Sequence, residues 1–324
     1  MGYLFAILSA ISWAIGTIAL KKSNHNLSPH VLNLYKNLLG FFTLLIILVI
    51  CSATTDNQFW IISRESVLLI ILSGIVGSGL ADQIYIRSLS LVGANFISVI
   101  ASSLAIFILF FSFFLNFIFP AFFPKQIWPP HLFEIIGFTF IVFAIIYSSW
   151  EPNSYKNISL KTVLLALSAF MFMGLSANLT NSAIHLNTGD SLNILMIILI
   201  RFIPAIIFQL SLLLISKAKT SDFSALLNLN KGTFFLVSLG SLMLSLIAIV
   251  FWVVGMKIEI NNVTLFSLLA QTSNIMIFIS SWLILKETIT NRKILNRTFF
   301  RNISSQYFEI IWKEKQCSHN QHDE

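Results

Sequence analysis

Nine stretches of mostly apolar residues follow one another along this chain, at approximately 2–20, 31–51, 67–90, 94–119, 132–150, 160–183, 191–216, 232–256 and 262–285. A hydrocarbon core about 30 Å thick takes roughly 20 helical residues to cross, and lipid leaves backbone amides no partner but one another. The pattern therefore predicts an all-α, polytopic helical membrane protein with about nine transmembrane helices. The breaks are short and polar or proline-bearing, as at Ser28-Pro29-His30, Thr54-Thr55-Asp56-Asn57 and Trp128-Pro129-Pro130. Short links favour packing of the helices as one antiparallel bundle.

Composition agrees with lipid as the solvent: 56% of the residues are hydrophobic, 10% are charged and 31 are Phe. The formal charge of +7 comes from cations standing singly between apolar runs, not from a basic stripe. They read as loop residues flanking spans, and no nucleic-acid partner is expected. Cys51 and Cys317 have no metal-ligand spacing. The run 2–20 lacks a basic leader and is followed by Lys21-Lys22, so it reads as a retained span, not a signal peptide. Without a cleavable targeting segment, a bacterial cytoplasmic membrane is the expected location.

The chain also repeats itself. Leu8-Ser9-Ala10 recurs as Leu167-Ser168-Ala169, with Trp13 answered by Phe172. Lys36 lies inside the second apolar run and Arg201 inside the seventh, a cation in the same span of each half. The stretch 83–94 aligns with 250–261 and places Trp252 opposite Tyr85. The expected organisation is a first repeat over 1–157 with five helices, a second over 158–292 with four, and a charged tail over 293–324. An odd number of spans per repeat inserts the second copy from the opposite side, as in transporters built from inverted repeats around a central solute site.

These residues resemble the drug/metabolite transporter superfamily, specifically its EamA-type members. The likeness rests on Leu8 to Gly16 in the first span, the cation in spans two and seven, Tyr85 to Leu89 leading into Gly93-Ala94, Glu134 to Gly137, and Trp282 to Glu287. The resemblance implies ten helices in two five-helix repeats, both termini in the cytoplasm, and transport of a small organic solute. Two departures stand out. Phe119 to Lys125 replaces the usual short turn before span five. After Glu287, where a tenth apolar helix is expected, Arg297, Arg301, Glu309, Lys313 and Glu314 leave no window that could span a bilayer, at about 2.5–3.5 kcal/mol per central charge. A truncated or frameshifted remnant without transport activity is therefore the alternative to a working carrier.

Loop charge offers a second view of orientation. Lys21, Lys22, Arg87, Lys156, Lys161, Lys217, Lys219 and Lys231 follow odd-numbered spans, against Arg64, Lys125 and Lys257 after even-numbered ones. That bias puts the N-terminus outside, opposite to the implication of the resemblance, and the orientation stays open.

Candidate functional residues are the polar ones inside apolar runs. Lys36, Asp82 and Arg201 are costly in hydrocarbon and call for a cavity or a partner. Lys36 and Arg201 could instead carry their charge to the interface on a long stem. Asp82 is too short for that, so it pairs with a neighbouring cation or serves as a proton- or amine-binding group. Trp13, Tyr85, Phe172 and Trp252 are candidates to line a solute path, as are the amides Asn95, Asn178, Asn181, Gln271 and Asn274, which could equally bridge helices. Spans one, three, four, six, eight and nine are expected to line the path. Gly74, Gly77 and Gly79 read as a site of close helix packing. The six histidines show no metal-ligand repeat and no catalytic constellation is visible, so an enzyme is not expected and no cofactor or metal is implied. The expected function is transport of a small organic solute by alternating access, with proton coupling through Asp82 or the Lys36/Arg201 pair. A membrane-embedded enzyme is the lesser alternative.

Overall fold

The computed structural model describes residues 2–23, 27–54, 62–120, 122–123, 159–186, 191–215, 226, 228–258, 266 and 269–286. All belong to one of the two compact units of the chain, Met1–Pro129 with Ile158–Glu287. The expected fifth span, 132–150, and the tail, 293–324, lie outside the described residues.

Every described element is a helix: α1 (Gly2–Ser23), α2 (Pro29–Thr54), α3 (Arg64–Ser73), α4 (Asp82–Ala101), α5 (Leu104–Ile118), α6 (Leu160–His185), α7 (Ser191–Ile215), α8 (Lys231–Leu242), α9 (Ala248–Ile258) and α10 (Thr272–Leu285). Two wider π-helical turns, Gly74–Ala81 and Met243–Ile247, join α3 to α4 and α8 to α9 without a break. Among the described residues, six runs are long and apolar enough to cross a membrane: α1, α2, α3 through α4 with its kink at Gly93, α6, α7, and α8 through α9. α5 and α10 are apolar but shorter.

Local chemistry sets the ends. Ser63 accepts a hydrogen bond from Ser66 N at 3.1 Å ahead of α3, and Asn230 Oδ1 accepts one from Thr233 N at 2.8 Å ahead of α8, each satisfying an orphan amide of the first turn. The expected break between spans three and four falls at Gly93, whose φ of 85° and ψ of 167° suit glycine alone. Span four was expected as one run over 94–119, but it is interrupted at Ser102-Ser103. There the Ser103 hydroxyl takes the Ile100 carbonyl at 2.7 Å, a local bond that competes with the helix ladder.

The two halves interleave. α1 packs against α8, α9 and α10, while α6 packs against α3, α4 and α5; α2 and α7 pack on each other. Asn230 stands as far beyond Ser63 as Trp252 stands beyond Tyr85, so the helix-capping residues share the register of the sequence alignment. Moved back by the same separation, the π turn Met243–Ile247 falls inside Gly74–Ala81.

Polarity runs inside out relative to a water-soluble fold. Leu214, Phe117 and Leu160 are 82%, 77% and 73% exposed, whereas Asn33, Asn37 and Gln209 are fully buried. An apolar outer surface is matched to lipid, and buried polar groups then join helices by hydrogen bonds. Ser9 Oγ donates to Ala248 O, Ser66 Oγ to Ala183 O and Asn178 Nδ2 to Ile108 O, all at 2.9 Å. The main apolar core gathers Leu44, Ile70, Ile197, Phe202, Val253 and Phe266 from both halves.

Candidate solute cavity

The π turn Gly74–Ala81 organises the polar interior. A π turn widens the helix and disturbs its regular backbone pairing. Side-chain amides of two other helices reach its carbonyls: Asn33 Nδ2 donates to Ser78 O and Gly79 O at 3.1 Å, Asn37 Nδ2 to Ser78 O at 3.1 Å, and Gln209 Nε2 to Gly79 O at 2.6 Å. The glycines permit close approach, in keeping with their reading as packing residues. A Cβ on Gly74 would collide with the Arg201 carbonyl and with Pro204, and one on Gly79 would sit 2.9 Å from the Phe208 ring.

At the end of this turn Asp82 opens α4, and its carboxylate takes the ammonium of Lys36 from α2. The Lys36 side chain is only 4% exposed, which overturns the snorkelling alternative for this residue: the cation stays inside because an acid meets it there. Arg201 enters from α7. Its Nη2 donates to Ser176 Oγ at 3.1 Å, the one hydrogen bond its guanidinium makes among the described residues, and its buried Nε has no acceptor among them. Ser176 belongs to a hydroxyl cluster. Ser73 Oγ lies 2.8 Å from Ser176 Oγ and 2.7 Å from Thr180 Oγ1, and Ser176 Oγ also reaches Ser73 O at 3.0 Å. Gly77 leaves space for this group, since a Cβ there would meet Ser176 Oγ and lie 2.6 Å from Arg201 Nη2.

Asp82 and Arg201 face a cavity of about 120 Å³. Ser9 and Trp13 of α1, Ala101 of α4, Leu104 and Ile108 of α5, and Phe170 and Met173 of α6 form much of its wall. Ala248 and Trp252 of α9, with Gln271 and Asn274 at the start of α10, close the remainder. Asn274 Nδ2 donates to Gln271 Oε1 at 2.7 Å, so the two amides are linked.

Six of the residues singled out in the sequence thus share one cavity: Trp13, Asp82, Arg201, Trp252, Gln271 and Asn274. Two stand a layer behind it. Lys36 touches the site through Asp82. Tyr85 is buried between Trp13 and Phe170, at ring separations of 5.8 and 5.9 Å, with its hydroxyl 2.8 Å from Thr17 Oγ1. The wall contains the expected spans one, three, four, six, eight and nine, and span seven in addition, through Arg201. Phe170, Met173 and Ser176 were missed by sequence reasoning. Ser176 had a signal in the small and polar run Gly174 to Asn181 inside an apolar span, whereas Phe170 and Met173 had none.

Long helices that are apolar outside and polar within, built around a cavity holding ionised residues, define a polytopic helical membrane protein. Residues 1–150 match the EamA-like transporter family, in agreement with the resemblance to the drug/metabolite transporter superfamily. One solved crystal structure shares the fold with a TM-score of 0.63 at 13% sequence identity, over 94% of this chain and 95% of its own. A search of curated proteins finds no match. The family match supports membrane transport of a small solute.

Proposed function

We propose that the chain carries a small organic solute across a membrane by alternating access, with 1–157 and 158–292 as inverted repeats that rock about the cavity. The observation that carries this reading is one cavity walled by helices of both halves and holding Asp82 and Arg201. A wall shared in this way changes shape whenever one half moves against the other. The exchanged packing of α1 and α6, and the two π turns in common register, support the assignment of repeats.

Coupling is assigned to Asp82. Among the described residues, the charged groups facing it are Lys36 from α2 and Arg201 from α7, with Tyr85 one turn further along α4. A proton on the carboxylate would cancel its hold on Lys36 and loosen α2 from α4, which links protonation to helix movement.

The test uses the full chain in proteoliposomes and a panel of radiolabelled amino acids, monocarboxylates and quaternary ammonium ions, with and without an imposed pH gradient. Flux of one class driven by the gradient is expected, and Asp82→Asn should leave flux insensitive to it. Persistence of the gradient effect in that variant removes Asp82 from coupling. Absence of flux for the whole panel sinks the transport reading in favour of an inactive remnant.

A further inference from the structure

We infer that the cavity takes an organic monoanion, a carboxylate with a flat apolar body, seated with its charge on Arg201 and its body among Trp13, Phe170 and Trp252. The inference rests on the proposed solute site and adds the class of cargo.

Charge decides it. Two charged residues line the cavity among the described residues, Asp82 and Arg201, and Asp82 is neutralised from behind by Lys36. The Lys36–Asp82 contact is the one ion pair among the described residues, so Arg201 has no acid within pairing distance among them. The set carries one net positive charge in a region shielded from water, where an uncompensated ion is strongly disfavoured. A monoanion brings that set to neutrality. A cation would double the imbalance and would find Asp82 already occupied.

Geometry fits the same class. A guanidinium offers five N–H donors in a planar fork suited to a carboxylate. Among the described residues only Nη2 is engaged by a protein acceptor, Ser176 Oγ, which anchors the fork. Ser176 Oγ can also receive the Ser73 hydroxyl while donating to the Ser73 carbonyl, so its capacity is filled without further use of Arg201. Gly77 keeps the ground beside Nη2 clear. The wall also offers the aromatic side chains of Trp13, Phe170 and Trp252 with Ala10, Met173 and Ala248 between them, apolar surface suited to a ring.

Equilibrium binding separates this from the transport reading. The wild-type full chain in nanodiscs is titrated with radiolabelled benzoate and competed with benzamide and benzylammonium, three probes with the same ring and different charge. Benzoate is expected to bind about tenfold or more tighter than the other two, the usual scale of a charged hydrogen bond. Arg201→Gln should remove about that factor, with Arg201→Lys intermediate and both variants monodisperse with wild-type helix content. Benzylammonium or benzamide binding as well as benzoate overturns the inference, as does failure of all three to bind at millimolar concentration. If Arg201→Gln misfolds, the comparison of probes on the wild-type chain still decides. Benzoate binding without flux would retire transport and leave the anion site standing; gradient-driven flux of quaternary ammonium ions alone would do the reverse.

Discussion

Lys36 on α2 and Asp82 at the head of α4 close an ion pair between two helices far apart in the chain, at the point where the π turn returns to α-helical geometry. Both side chains are largely withdrawn from solvent, with exposures of 4% and 14%, Asp82 keeping one edge on the cavity. Each residue is tolerable there only because of the other.

Breaking that pair should cost more than deleting it. Asp82→Leu leaves a buried ammonium without its counter-ion and is expected to lower stability by about 3–5 kcal/mol. The double variant Lys36→Met with Asp82→Leu should recover most of the loss. Denaturant midpoints in detergent report both. A double variant no better than the single would mean that Lys36 is accommodated by something other than Asp82.

The space at Gly77 is equally specific. Its missing side chain admits Ser176 Oγ and the Arg201 guanidinium. Gly77→Ala should therefore displace the fork and cost about 1–3 kcal/mol of stability by overpacking. Benzoate affinity should fall with it, whereas Gly232→Ala, where the nearest atom to the new Cβ is 3.7 Å away, should leave affinity unchanged. Equal effects of the two substitutions would remove the argument that Gly77 shapes the site.

Tyr85 provides a control for the cavity wall. Its hydroxyl bonds to Thr17 and its ring supports Trp13 from behind. Tyr85→Phe should cost about 1 kcal/mol, the net value of one buried hydrogen bond, and should alter solute affinity by less than about threefold. Trp13→Leu should weaken binding of a ringed solute well beyond that. Matching losses in the two variants would place Tyr85 in the site itself.

The carbonyl of Gly79 tests the support of the π turn. It receives Asn33 and Gln209 together, so either amide alone is partly redundant. Asn33→Leu combined with Gln209→Leu should destabilise the protein by about 1–2 kcal/mol more than the two separate losses summed. Simple additivity in thermal unfolding would show that the two amides act on the turn independently.

Much of the fold was legible in the chain because hydropathy is a local property. Lipid as solvent, helical spans and the break near Gly93 all follow from short windows. The interruption at Ser102-Ser103 was not visible, because two serines in an apolar run serve as helix residues or as a break according to what packs beside them. The candidate cavity was partly legible for a different reason. A charge or amide in an apolar run is conspicuous, and such residues collect where lipid is absent. Phe170 and Met173 carried no such mark, since a chain with 31 Phe gives no clue which one faces a solute.

The partnership of the charges lay beyond the sequence. Aligning the halves paired Lys36 with Arg201 as equivalents, yet the folded chain treats them differently: Lys36 is neutralised by Asp82, and Arg201 is held by a serine and turned to the cavity. Sequence determined that these ions sit among apolar spans, because composition and period are written locally along the chain. Which ion meets which was decided by tertiary packing, because helix contacts depend on the glycine gaps at Gly74 and Gly77, the amide clamps on the π turn and the interleaving of the two halves.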